Sequence, residues 1–333
     1  MILKKPIFWL AMIISVSSIV VAFSLSGLDA LLASIGKVEA DMVFWCVVAT
    51  FIHFLIRNKR WQITIEQKCS YLGCLWAQGI GFLFIFLLPL RLGDPVRIFT
   101  LAKLENISLL NIGASVIFER LVDIFMALSL LLAVTAYLGQ ELEITRLASI
   151  LSALLFLGLA VVTCLLLMVA RLQSSSRIIQ LLNRLSKVTL ASIKHYGKSR
   201  VAKSIIFWTL AGWLIGVARH WFGIAAFVPD VNLIEATLLT VMLALAVAIP
   251  SAPGFIGVFQ IVGQQALILP FADKYDAATA LSITIILHLV LFAVCMLTGI
   301  VSAIQVGKKL QLLAFLRNMY DKAAGRQKNS NID

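Results

Sequence analysis

The segment LPLRLGDPVRIFTLAK, Leu88–Lys103, sets Arg91, Asp94, Arg97 and Lys103 beside Pro89, Gly93 and Pro95, with apolar runs on either side. A charged side chain at bilayer depth costs about 2.5–3.5 kcal/mol even on the gentlest insertion scales. Such residues therefore face a protein-lined or watery cavity and mark a pathway. The rest of the chain is read around that cavity.

The surrounding composition explains why a bilayer is invoked. Hydrophobic residues make up 61% of the 333 positions and charged residues only 13%, which a soluble core of this length does not require. The sequence specifies an all-α polytopic membrane protein. The net charge of +12 is concentrated in Arg57–Arg60, in Arg171–Lys203 and after Lys308, as the positive-inside rule expects of cytoplasmic segments, so nucleic acid is not implied. The five cysteines form no CxxC or Cys/His pattern, and neither a disulfide framework, a metal site nor a cofactor is expected.

Taken in order, Lys4 and Lys5 precede a first spanning helix from Ile7 to about Leu25, and a second, about Asp41–Ile56, returns to a basic corner at Arg57–Arg60. Two runs follow, Cys74–Leu88 and Val96–Leu104, each shorter than the ~20 residues a span needs. They predict a re-entrant hairpin over 74–103. In it Asp94-Pro95 reads as an N-cap followed by a first-turn proline that starts the second arm. A long helix from about Ser108 to Tyr137 carries Glu119, Arg120 and Asp123 and ends in an acidic, external loop at Gln140–Glu143. Another, about Leu147–Ala170, leads to Arg171–Lys203, where eight Lys or Arg occur with no acid. Its apolar spacing suggests an interfacial amphipathic helix. Ser204–Val228 crosses outward, and Ala277–Gln305 returns to a basic tail. Between them, Ala236–Pro270 is interrupted by Ile249–Gly254 and predicts a second hairpin, over 236–270, entering from the outer face.

The expected architecture is about six spanning helices plus two re-entrant hairpins in an inverted-topology repeat. Residues 1–137 form one half, 138–305 the other, and 306–333 a cytoplasmic tail. Both termini are expected in the cytoplasm of a cell with an inner membrane. In transporters built this way the substrate site lies near the midplane, where the interrupted segments meet.

Glu119 and Asp123 are four residues apart on one helix face and need cations or a proton. Arg91, Arg97, Arg120 and Arg219 are the available partners. Two readings stay open: an ion-pair network that docks hairpin to helix, and an anion site whose carboxylates balance charge or carry protons. Arg97 near a helix N-terminus suits phosphate, which arginine binds bidentately. His220 and His288 are packing residues or proton relays. Gly254 and Gly257 allow the second hairpin to pack closely.

PLRLGDPVR, then ASVIFERLVDI, then IPSAPGFIGVFQ together resemble the transmembrane, flippase-like region of the lysylphosphatidylglycerol synthase family, as in the multiple peptide resistance factor and its stand-alone relatives. Pro89, Arg91, Gly93, Arg97, Glu119, Arg120 and Asp123 match its first two motifs, with Asp94 where the acid is more often Glu. Pro250, Pro253, Gly254 and Gly257 fit the third. Phe255 stands for a usual glycine, Gln260 for a usual glutamate and His288 for a usual arginine, so a Gln260–His288 pair would replace two charges by neutral partners. The resemblance implies a lipid-handling membrane protein and leaves the lipid itself open; the arginine-rich site is what points to an anionic lipid substrate. Aminoacylating members carry a soluble catalytic domain after the membrane part; this sequence stops soon after its last helix, so lipid aminoacylation by this chain alone is not expected. The resemblance further implies envelope or glycolipid synthesis enzymes as partners.

The leading expectation is a non-enzymatic flippase for an anionic, phosphate-bearing lipid, either a phospholipid or a polyprenyl-phosphate-linked one. The alternatives are a membrane-embedded transferase and a scaffold for envelope synthesis. The short outer loops favour transport over transfer chemistry.

Overall fold

A computed structural model describes residues 6–65, 67–88, 91–139, 199–247 and 252–310, with scattered positions between 150 and 197. All secondary structure among them is helical. The expected helix Leu147–Ala170, the acidic loop and most of the basic segment 171–198 lie outside the continuously described residues, as do Pro89, Pro250 and the C-terminal tail.

The first helix, α1 (Pro6–Ser26), carries no charged residue and stops at Gly27. There a φ of 71° turns the chain by 82° into α2 (Leu28–Ile35), an eight-residue helix absent from the sequence reading. Helix α3 (Ala40–Thr64) runs two turns beyond the expected end, carrying the basic corner with it. The first hairpin is α4 (Tyr71–Leu87) and α5 (Gly93–Glu105), followed by the long α6 (Leu109–Leu138). After the interval around 150–197 come α7 (Ser199–Ala225) and α8 (Leu233–Ala246). A 3-10 turn, Pro253–Phe255, α9 (Val258–Ile268) and α10 (Ala277–Leu310) complete the order. Four of these, α3, α6, α7 and α10, are long and apolar enough to span a bilayer, and the bent α1–α2 pair is a fifth candidate.

The hairpin arms are short because each is stopped at both ends. Ser70 caps α4 by accepting from Gly73 N at 2.8 Å. Glu105 at the end of α5 accepts from Ser70 N at 3.1 Å and Ser70 Oγ at 2.5 Å, closing the hairpin's base. The arms touch backbone to backbone: a Cβ on Gly93 would lie 2.0 Å from Gly81 O. In the second hairpin, Asn232 accepts from Glu235 N at 2.9 Å and Glu235 accepts from Asn232 N at 3.4 Å, a capping box that starts α8. Glu235 also accepts from Tyr275 Oη at 2.5 Å and from Lys274 Nζ at 2.8 Å, tying α8 to the turn before α10.

Burial is arranged for a lipid solvent. Leu214, Leu297 and Ile304 are well exposed, while Arg97 and Glu119 are each 1% exposed. Helix α10 lies centrally, packed on α4, α9 and α3, with Leu281 and Ile283 fully buried.

Candidate functional site

Helix α6 sets Glu119 and Asp123 one turn apart on the face it turns to α3, as their spacing requires. Arg60 on α3 sits between them. Its fork takes both oxygens of Asp123, at 2.6 and 3.0 Å, and the same guanidinium donates to Glu119 Oε1 at 3.2 Å. The other oxygen of Glu119 accepts from Arg97 Nη2 at 3.1 Å. Arg97 Nε lies 3.2 Å from Asp94, and Asp94 accepts from Arg120 at 2.9 and 3.0 Å. Arg57 reaches Asp123 at 3.4 Å, and Arg91 comes to 3.8 Å of Asp94. The outcome is one continuous chain of alternating charge across α3, α5 and α6. Its most buried cation, Arg97, also lies over the Trp61 ring at 4.8 Å, and Trp61 is held by its Nε1 donating to Ser115 Oγ at 3.1 Å.

Two local details differ from the sequence reading. Helix α5 begins at Gly93, and Leu92 at its N-cap makes no side-chain bond. Asp94 lies in the first turn and spends its oxygens on arginines, because three guanidiniums compete for it more strongly than a backbone N–H can. The second concerns Arg57 and Arg60, expected in a cytoplasmic loop. They are helical, and Arg60 is only 5% exposed. The positive-inside rule did not reveal their burial, because it counts charge without asking which acids lack partners. The spacing of three between these arginines, matching the spacing of four between Glu119 and Asp123, was the available signal.

Beside this chain is a cavity of about 230 Å³, lined by Arg57, Arg60, Arg91, Arg120 and Arg219 with one carboxylate, Asp123. Phe86 from the first hairpin and Phe255 from the second also border it. Arg91, at a left-handed φ of 56°, joins the two hairpins: it donates to Val247 O at 2.5 Å and its guanidinium lies 5.6 Å from the Phe255 ring centre. Phe255 has a φ of 62°. Left-handed backbone is rare for a bulky side chain, so both hairpin tips hold local strain where they meet.

The remaining candidates lie behind this wall. His288 Nε2 donates to Gly254 O at 2.7 Å, and its Nδ1 accepts from Gln260 Nε2 at 2.8 Å. Gln260 Oε1 in turn accepts from Gly257 N at 2.8 Å. This neutral relay fixes the tip of the second hairpin, with Pro253 opening its 3-10 turn and Phe259 stacked on His288 at 4.7 Å. Gly257 is required by a close approach, since a Cβ there would lie 2.1 Å from Ser15 O on α1. His220 donates from Nδ1 to Thr240 Oγ1 at 2.8 Å, while Thr240 donates to Ala236 O, so the ring serves as a bracket between α7 and α8. Arg97, expected to hold phosphate, does not border the cavity. His53, not singled out from sequence, does, and donates from Nδ1 to Gly212 O at 3.0 Å.

Residues 8–299 match the profile of the lysylphosphatidylglycerol synthase TM region. The chain belongs to that family. It is thus a multi-pass membrane protein of a family tied to lipid synthesis, and the match spans every helix of the charged chain and both hairpins. Comparisons with curated proteins and with solved structures gave no match.

Proposed function

We propose that this family member moves an anionic, phosphate-bearing lipid headgroup across the inner membrane through the cavity between the two hairpins. In this reading the halves of the chain form an inverted repeat, both termini and the basic segment Arg171–Lys203 are cytoplasmic, and the lipid tails stay in the bilayer while the headgroup passes the arginines. The observation that carries it is the lining of the cavity: five arginines from α3, the first hairpin, α6 and α7, with one carboxylate among them. Arginine forks bind phosphate bidentately, and the wall carries more arginines than the carboxylates bonded to them can balance. Asp123 competes with phosphate for the same forks, which lets the headgroup leave again. Arg97 supports the site by holding Asp94 and Glu119 in place.

The test is translocation in proteoliposomes. Wild-type protein should move labelled phosphatidylglycerol or a polyprenyl phosphate, and Arg91→Gln and Asp123→Asn should each abolish movement while eluting as folded protein. If the wild type moves neither lipid, or both variants transport normally, the transport reading fails and a scaffold or transferase role replaces it.

A further inference from the structure

Resting on that reading, the charges around the cavity point to a narrower class of headgroup. Six arginines, Arg57, Arg60, Arg91, Arg97, Arg120 and Arg219, face three carboxylates, Asp94, Glu119 and Asp123, so three positive charges lack a counter-charge within the cluster. The geometry locates the excess. Both oxygens of Asp123 accept from Arg60, so Arg57 only shares Oδ2 with it, at a longer 3.4 Å. Both oxygens of Asp94 are taken by Arg120, which leaves Arg91 at 3.8 Å. Arg219 has no carboxylate within 4.0 Å among the described residues, and its Nε is buried without a hydrogen-bond partner, as are those of Arg57, Arg60 and Arg97. The neighbouring His53 and His220 bond only neutral groups and supply no negative charge. Three guanidiniums with no carboxylate of their own among the described residues, on α3, the first hairpin tip and α7, therefore border one cavity.

A buried charge without a counter-charge is disfavoured, so the best occupant supplies as many negative charges as the wall lacks. A phosphodiester such as phosphatidylglycerol brings one. A phosphomonoester brings nearly two at neutral pH, its second pKa being about 6, and a diphosphate brings more. A lysyl ester adds ammonium groups that the wall repels. We propose that the cavity selects lipids ending in a phosphomonoester or diphosphate over singly charged phosphodiesters and over amine-bearing headgroups.

The experiment is lipid competition on the full chain in phosphatidylcholine nanodiscs, read by native mass spectrometry. Its probes are phosphatidic acid, farnesyl diphosphate, phosphatidylglycerol and lysyl-phosphatidylglycerol. Phosphatidic acid or farnesyl diphosphate should bind at least about ten-fold tighter than phosphatidylglycerol, a difference of about 1.4 kcal/mol, with the lysyl ester weakest. The tighter of the first two identifies monoester or diphosphate. Lowering the pH from about 7.5 to about 5.5 should weaken phosphatidic acid several-fold and leave phosphatidylglycerol unchanged, since only the monoester gains a proton. Arg219→Gln should shrink the preference, which separates the cavity from the basic surface of the chain; Arg57→Gln is the second variant if the first does not fold. Equal binding of phosphatidylglycerol, preference for the lysyl ester, a pH-independent ratio or an unchanged preference in both variants overturns this proposal and leaves the transport reading standing. Binding of none of the four overturns the transport reading itself.

Discussion

Replacing Glu119 by glutamine keeps the shape of the side chain and removes the charge that two arginines share. Glu119 is 1% exposed and meets Arg60 at 3.2 Å and Arg97 at 3.1 Å. At an effective dielectric constant of about 20, charges about 4 Å apart attract by about 4 kcal/mol, so two such contacts are lost. The desolvation of the carboxylate is no longer incurred, which returns part of that sum. Removing one partner of a buried pair leaves a net loss of about 3–5 kcal/mol. Glutamine also turns an N–H₂ toward one guanidinium, and the uncompensated charge in the cluster rises by one. Arg219→Gln removes a cation that has no carboxylate within 4.0 Å among the described residues, so it should leave stability unchanged or raise it. A thiol-reactive dye in detergent reads both, because Cys46, Cys74 and Cys295 are buried and become reactive on unfolding. At one fixed scan rate the Glu119→Gln midpoint should fall by several degrees below wild type, on the order of 2 °C per kcal/mol for a chain of this size. If Glu119→Gln unfolds no earlier than Arg219→Gln, the alternating chain of charge is not what holds α3, α5 and α6 together.

Gly93→Ala should prevent the first hairpin from closing, since the added carbon would lie 2.0 Å from the Gly81 carbonyl oxygen; Gly212→Ala, whose nearest neighbour is Ile56 at 3.6 Å, should purify like wild type, and size-exclusion profiles of the two decide. The Tyr275 phenol, in the turn between α9 and α10, is held above the ordinary tyrosine range by burial and by its bond to Glu235. The folded state then keeps a proton that the unfolded chain releases, so its contribution to stability is complete below about pH 10 and is lost as pH rises further. Tyr275→Phe should flatten that alkaline loss in a pH series of unfolding midpoints, and an unchanged slope would remove Tyr275 from the account.

Both hairpins were legible because proline and glycine interrupt runs too short to span, at Leu88–Pro95 and Ile249–Gly254. The long helices followed from apolar length alone. Glu119, Arg120, Asp123, Arg91, Asp94 and Arg97 stood out because charge inside apolar sequence is conspicuous, and the structure brings all six together. Arg57 and Arg60 were hidden for the opposite reason. They sit in a run with Lys59 that looks like an ordinary cytoplasmic flank, and only the α3 helix extending to Thr64 turns Arg60 inward while Lys59 pairs with Gln62. Helix α2 was missed because its eight residues are far too short for a span, and span length was what the reading of this region rested on. The Gln260–His288 bond was anticipated only through the resemblance, since 28 residues of sequence separate the partners.

Arg91 works as a crossbar. One guanidinium ties the tip of the first hairpin to the Val247 carbonyl and to the face of Phe255 on the second, and that same guanidinium is part of the cavity wall. An anion taken up as proposed would compete for it, so occupancy and the loosening of the hairpin-to-hairpin contact would be one event. By linkage, any ligand that binds better with the crossbar withdrawn favours separated tips to the same degree. Two doors latched by a single bolt, which the proposed cargo would itself draw, would need no separate sensor to report that the chamber is full.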